Sequence, residues 1–365
     1  MPAAYISWPF CGQKCTYCNF ASGVFPRALE ERYRLALLAE IAAYDWRWVP
    51  ETLYFGGGTP SSMALDTFRA LLDAIPGRPW VEATIEAAPG TLTRERVRLW
   101  SEVGINRISL GVQSFVPDEI ARTGRKHTAE TVAAEIALLR QEGIANFSID
   151  LIAGLPNQTP AGWRESLDWI ERLEAGHVSV YMLEVDQDSR LGREILQGGS
   201  RYSAREVPSE DRIVEFYESA VERLAAMGLA RYEISNFARP GLESRHNLKY
   251  WLLEPYAGFG ADAHSFDGAM RSQNVESVEE YVKRWEAGES PCAETSSAHG
   301  DEERFFVGLR LARGIEPTGD EWRRHEAPIR RFVHDGLLAC DGNRLRLTNR
   351  GVLLSNEVFQ EFLNP

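Results

Sequence analysis

Thr52-Leu53-Tyr54-Phe55-Gly56-Gly57-Gly58-Thr59-Pro60 runs from an apolar, aromatic segment straight into three glycines and a proline. β-Branched and aromatic side chains favour extended backbone, and Gly with Pro ends it. A helical stretch, Leu65–Ile75, follows. The same unit recurs down the chain. Extended runs are expected at Val81–Ala87, Arg107–Val112, Phe147–Leu151, His177–Leu183 and Tyr232–Ile234, with helices at Arg94–Val103, Ala129–Glu142, Gly162–Leu173 and Asp211–Met227 between them. Gly77, Gly104, Gly143, Gly176 and Gly228 sit where each helix has to stop, the usual place for a left-handed cap. Strands alternating with helices at this spacing imply parallel pairing and right-handed crossovers.

Upstream, a strand around Tyr5–Ile6 and the helix Glu30–Tyr44 add one more unit. Six or seven units fit a complete or partial (β/α) barrel, and a doubly wound open sheet is the alternative that periodicity does not separate. We therefore expect an α/β core over residues 1–238. An irregular segment over 239–275 follows, where Gly, Pro and aromatics replace the alternation. A smaller, mostly helical domain is expected over 276–365. It opens with a capping box, Ser277-x-x-Glu280. It ends as helix (Pro328–His334), Gly336, hairpin around Asp341–Gly342, Thr348 and a last helix to Phe362. That ending resembles a winged-helix-like module.

The chain has 365 residues, with 53 acidic against 40 basic and a net charge of −13. Broad nucleic-acid binding needs clustered Lys and Arg, so a scaffold role is expected for the terminal module and no nucleic acid as partner. The most apolar stretch, Leu35–Tyr44, is short and interrupted by Glu40, whereas a membrane span needs about 20 apolar residues. The start, MPAAYISWPF, has neither the basic nor the long apolar region of a signal peptide. The cytoplasm is the default expectation. Of the five cysteines, Cys11, Cys15 and Cys18 fall within one short loop after the first strand, while Cys292 and Cys340 stand apart. Clustered thiols in a chain without an export signal suggest a metal or cluster site in a reducing compartment.

Cys11-x3-Cys15-x2-Cys18 suits three irons of one [4Fe–4S] cluster, whose fourth iron would stay open to a ligand. A structural zinc completed by Cys292 or a His is the alternative, although zinc sites commonly use two cysteine pairs. The glycine run lets backbone approach a ligand closely, or it is simply a turn. It lacks the GxxxxGK[ST] pattern of a phosphate-binding loop. Glu86, Gln113 and Asp150 fall at successive strand ends, the active face of a parallel barrel, and Arg125 follows in a loop.

Taken together, CxxxCxxC after the first strand and GGGTP after the second resemble the radical S-adenosylmethionine (SAM) superfamily. Glu86 in IEAAPG, Gln113 in RISLGVQSF, Arg125 in TGRKH and Asp150 in IDLIAGLPNQT are similar to the oxygen-independent coproporphyrinogen III oxidase family over essentially the whole chain. The resemblance implies a partial (β/α) barrel of the radical SAM type. It implies a [4Fe–4S] cluster on Cys11, Cys15 and Cys18, with SAM chelating the open iron. Gly57, Gly58 and Thr59 would hold its methionine end and Tyr17 its adenine. Glu86, Gln113, Arg125 and Asp150 would meet the remaining polar groups, with Tyr5 a further contact.

Within that family the true oxidases carry one more cysteine, two residues after the third; here it is Phe20. They also have a longer arm before the cluster, for which Cys11 leaves no room. Tyr232-Glu233-Ile234-Ser235-Asn236-Phe237-Ala238 and His246-Asn247-Leu248-Lys249-Tyr250-Trp251 instead resemble the HemW-type heme-chaperone branch. Ser7 departs from the His common among relatives at that position. The branch implies heme, an apoprotein that accepts it, and transient contact with membrane-bound heme proteins. It leaves enzymatic turnover as the alternative. His246 is then an axial-ligand candidate, Tyr250 and Trp251 flat faces for a porphyrin. The net +2 charge of residues 231–251 would attract propionates. Read without the resemblance, His246 and Asn247 form a buried hydrogen-bonded pair and the aromatics are core.

Overall fold

In a computed structural model that describes residues 2–298 and 300–363, strands β1 (Ala3–Trp8), β2 (Thr52–Gly57), β3 (Glu82–Ala87), β4 (Arg107–Gln113), β5 (Asn146–Ala153) and β6 (His177–Met182) lie side by side in sequence order, every neighbour parallel. Strictly sequential order settles the architecture. Each right-handed crossover then puts its helix on the same face, whereas a doubly wound sheet must reverse its order once. Helices α1 (Arg27–Ala43), α2 (Leu65–Ala74), α3 (Arg94–Glu102), α4 (Pro117–Arg122), α5 (Ala129–Gln141) and α6 (Pro160–Arg172) belong to these crossovers.

Side-chain alternation follows the pleat. Leu53 and Phe55, Ala83 and Ile85, Ile108 and Leu110, Ile149 and Leu151, and Val178 and Val180 are fully or almost fully buried in the apolar core. Phe55 meets Phe68 of α2 at 5.0 Å between ring centres, and Phe68 meets Trp100 of α3 at 6.3 Å. The residues that alternate with them, Tyr54, Thr84, Glu86, Ser109, Asp150 and Ser179, are polar and share the other face. With the crossover helices all on the apolar face, this polar face is the one that a sequential parallel sheet turns inward. The sheet is therefore curved around a polar lumen. It does not close: its edges are the strands Ala230–Arg231 and Cys292–Ser297.

Helices α7 (Arg190–Leu196) and α8 (Glu210–Ala226) follow β6. The strand expected at Tyr232–Ile234 is absent. A short antiparallel pair, β7 (Ala230–Arg231) and β8 (Asn236–Ala238), stands there, with β8 antiparallel to β6. The Glu233 carboxylate makes the turn by accepting the Ser235 N–H at 2.8 Å and the Asn236 side-chain amide at 2.6 Å. The left-handed residue after α6 is Glu174 (φ +52) and not Gly176, whereas Gly104, Gly143 and Gly228 cap as expected.

Residues 239–275 are more regular than their Gly and Pro content suggests. They form helix α9 (Arg245–Trp251) and strands β9 (Tyr256–Phe259), β10 (His264–Phe266) and β11 (Met270–Asn274). β9 lies parallel beside β1 and begins an antiparallel extension that β12 (Cys292–Ser297) completes. Helix α10 (Val278–Glu286) starts where Ser277 Oγ accepts the Glu280 N–H at 3.3 Å; the Glu280 carboxylate pairs instead with Arg284 at 2.9 Å. The reciprocal capping box occurs further on, at Thr318 and Glu321.

The C-terminal region comprises α11 (Gly300–Gly308), α12 (Gly319–Arg324), α13 (Glu326–His334), the hairpin β13 (Leu338–Asp341) and β14 (Arg344–Leu347), α14 (Asn349–Leu353) and α15 (Ser355–Leu363). The expected last helix is thus two helices. Among the described residues no helix is long and apolar enough to cross a membrane.

Candidate functional site

The three-cysteine loop leaves β1 at its C-terminal end and is tied down on several sides. Cys11 N–H donates to Gly23 O at 2.8 Å, Thr16 N–H to Thr123 O at 3.2 Å, and Leu191 N–H to Thr16 O at 2.8 Å. The loops after β4 and β6 therefore hold it from above. From below, Gly58 N–H donates to Trp8 O at 2.8 Å and Thr59 N–H to Phe10 O at 2.9 Å. A Cβ on Gly58 would come within 2.7 Å of the Pro9 carbonyl carbon. The glycine run thus serves first to let two backbones meet, and its N–H groups are largely spent on that contact.

Cys11, Cys15 and Cys18 are all partly accessible and unpaired by disulfides. Burial pushes the Cys11 thiol up, against hydrogen bonding from Thr59 and Ser22. Arg125 donates from Nε to Cys15 Sγ at 3.3 Å and from Nη1 to Gly111 O at 2.5 Å. Among the described residues no three His, Cys, Asp or Glu side chains converge closely enough to share one metal ion. Cys292 lies on β12, separated from β1 by β11, β10 and β9, and so cannot complete a zinc site with the loop. The donor set fits a multi-iron cluster with spread thiolates better than a single tetrahedral ion.

The other expected SAM residues gather on the same face. Glu86 accepts from Tyr54 Oη at 2.9 Å and from Gly57 N–H at 3.1 Å. Burial, with Asp150 nearby, pushes its carboxyl up to about 7. Asp150 accepts from Ser109 Oγ at 3.2 Å and from Ser148 Oγ at 3.3 Å, and burial raises its pKa too, against those hydroxyls and Arg107. Gln113 ends β4 at φ +70, where the β4–β5 register shifts, and its buried Oε1 has no hydrogen-bond partner. The buried Tyr17 Oη has none either. A strained residue and two orphaned polar atoms beside a thiol loop are what a polar ligand would satisfy. Tyr5 stacks on Tyr54 with ring centres 6.0 Å apart. Tyr54, Ser109, Ser148, Ser179 and Tyr181 were not singled out from sequence, although their alternate strand positions were the available signal.

His246 is placed elsewhere. It is fully buried at the N-terminal ends of the strands, opposite the cysteine loop. Its Nδ1 pairs with Thr52 Oγ1 at 3.0 Å and its Nε2 with Tyr250 Oη at 2.8 Å. Burial, with Lys249 and Arg107 nearby, lowers its pKa to about 3. With both ring nitrogens engaged and no accessible surface, His246 is packed in this structure as a core histidine. Its partners are Thr52 and Tyr250, not Asn247. The expected positive patch is also reduced, because Lys249 is buried between Glu51 at 2.6 Å and Glu254 at 3.2 Å. Tyr250 and Trp251 do face open space, a cavity of about 600 Å³ that Tyr5 also lines.

Comparison with known proteins agrees with this geometry. A model of the radical SAM superfamily matches residues 5–170, and one of the HemN C-terminal domain matches residues 302–354. The chain is 33% identical to the heme chaperone HemW of Bacillus subtilis, covering 100% of this chain and 99% of that protein. It is 32% identical to the heme chaperone HemW of Lactococcus lactis over 99% and 97%. Its fold is similar to coproporphyrinogen III oxidase HemN of Escherichia coli, with a TM-score of 0.83, 20% identity and coverage of 99% and 90%. At that identity the likeness to the oxidase is one of fold. With full-length identity above 30% to HemW proteins, and the cysteine loop, glycine run and polar lumen in place, the chain belongs to the HemW family within the radical SAM superfamily.

Proposed function

We propose that this protein is a heme chaperone built on a radical SAM scaffold, which binds heme and passes it to an acceptor apoprotein. The observation that carries the reading is full-length similarity to proteins named heme chaperones, in a chain with Phe20 where the oxidases have a further cysteine. Phe20 is well exposed on the cysteine loop, at 63%.

Cys11, Cys15 and Cys18 would hold the [4Fe–4S] cluster, with Arg125 hydrogen-bonded to Cys15 Sγ. Tyr5, Tyr17, Gly57, Gly58, Thr59, Glu86, Gln113, Arg125 and Asp150 would contact SAM. When bound, the cluster and SAM together supply one-electron chemistry. The residues around them position the cofactor, offer Gln113 Oε1 as an acceptor together with the Tyr17 hydroxyl, and keep the Glu86 carboxyl, its pKa raised by burial, within the lumen. We assign the protein to the cytoplasm, with the membrane-bound heme proteins as its transient contacts and the C-terminal module as scaffold without nucleic acid.

The test is anaerobic transfer. Protein loaded with stoichiometric hemin should give it up to an excess of apo-acceptor, read as the acceptor's own Soret spectrum. Retention of heme against every acceptor tried, together with conversion of coproporphyrinogen to protoporphyrinogen at about 1 s⁻¹ or faster, would restore the oxidase reading.

A further inference from the structure

We infer that the porphyrin site is the cavity between α9, the β9–β11 extension and the C-terminal helices, with His264 as the axial ligand to its iron. The inference rests on the heme reading above and replaces His246 as ligand. The cavity measures about 600 Å³, within the roughly 300–1,000 Å³ of cofactor sites. Tyr250, Trp251 and Tyr256 form one wall, and Phe306, Val307 and Leu363 another. Phe306 is 37% exposed and Leu363 40%. Large apolar side chains facing open space from two elements, with flat aromatics opposite, suit a planar apolar macrocycle.

His264 lines the same space at the start of β10 and is exposed to it. Among the described residues no hydrogen bond engages its ring, in contrast to His246 and His177, each of which has both nitrogens occupied. A free imidazole at the wall of an aromatic cavity is a competent iron ligand. The turn that presents it is held under strain. Asp262 adopts φ +58 while its carboxylate accepts from Gln273 Nε2 at 3.0 Å. Strain kept in place by a side-chain hydrogen bond commonly marks a site.

Charge fixes the orientation. Arg271 lines the cavity but is held by Glu303 through two bonds of 2.8 Å and donates to Tyr256 Oη at 3.1 Å. Asp262 and Glu302 add negative charge. Buried propionates would be repelled, so the carboxylates lie at the mouth and the ring inside. Tyr5 joins this cavity to the lumen, since it lines the cavity and stacks on Tyr54, which donates to Glu86.

The experiment is parallel titration of the full-length, cluster-reconstituted protein with hemin and with iron-free protoporphyrin IX. Wild type should bind both saturably. His264→Ala should shift or lose the Soret band and weaken hemin about tenfold or more. Its protoporphyrin affinity should hold within about twofold, and added imidazole should restore the band. Phe306→Asp should weaken both ligands, and His246→Ala should keep the wild-type Soret position. Cluster absorbance in each variant reports that the fold is intact. Unchanged hemin spectra and affinities in both His264→Ala and Phe306→Asp would place the porphyrin elsewhere and overturn this site while leaving the heme reading standing. Absence of saturable hemin binding by wild type would overturn the heme reading itself.

Discussion

Gly58 has no room for a side chain, because a Cβ would press within 2.7 Å of Pro9 C and 2.8 Å of Phe10 O. Both obstacles are backbone, so neither can turn aside. Gly58→Ala should push the cysteine loop off β2, costing about 1–3 kcal/mol and lowering iron retained after desalting, measured as iron per chain. Glu86 carries a pH dependence. Its folded pKa, about 7, lies above the ordinary carboxyl range, so its protonated form favours the fold. That contribution is whole below about pH 4.5 and is lost as pH rises through 7. Without SAM, urea stability of wild type should fall over that window by on the order of 1–3 kcal/mol more than that of Glu86→Gln. Parallel pH profiles of the two proteins would remove Glu86 from this role. The acids and hydroxyls of the lumen were legible only in part. Glu86, Gln113 and Asp150 stand at strand ends in the sequence, but Tyr54, Ser109 and Ser148 acquire meaning once register puts them beside those residues.

At the scale of the element, α9 shows how a motif can be recognised while the surroundings of its histidine stay hidden. His246-Asn247-Leu248-Lys249-Tyr250-Trp251 was visible in sequence, and its two aromatics do face a cavity. What sequence could not tell is that the helix starts on a buried carboxylate at the first residue of β3. Glu82 accepts the Arg245 N–H at 3.0 Å, the His246 N–H at 2.9 Å and Ser244 Oγ at 3.4 Å. A carboxylate at a helix N-terminus is favoured by the dipole and fixes which side chains turn inward. His246 is thereby committed to the core. Glu82→Ala leaves the buried His246 N–H and the part-buried Arg245 N–H unpaired and should cost about 1–3 kcal/mol in urea denaturation. His246→Ala should cost about 2–4 kcal/mol. A His246→Ala protein as stable as wild type would contradict the core assignment. Elsewhere the parallel strands and their helices matched the sequence periodicity closely. Tyr232–Ile234 did not, because the Glu233 side chain hydrogen-bonds its own neighbours and makes a turn out of a strand-like composition.

On the scale of the whole molecule, curvature of the sheet brings residues from β1 to β6 to one polar face, with the cysteine loop at one end and α9 at the other. The antiparallel extension and the C-terminal helices then build the aromatic cavity at its side. That second space is not readable from periodicity, since β9, β10 and β11 are short and interrupted by Gly and Pro. One fold thus holds a redox-capable loop and a separate porphyrin-sized cavity, joined through Tyr5. Replacing Cys11, Cys15 and Cys18 together by Ala should remove about four irons per chain and leave hemin binding in place; loss of both would mean that the two sites are one. The most direct measurement of the central claim is an anaerobic hemin titration of the reconstituted protein, followed by optical absorption. Saturable binding at about one heme per chain is expected, with a Soret band that depends on an imidazole ligand. Linear, non-saturable absorbance up to excess hemin in a protein whose cluster is intact would contradict it.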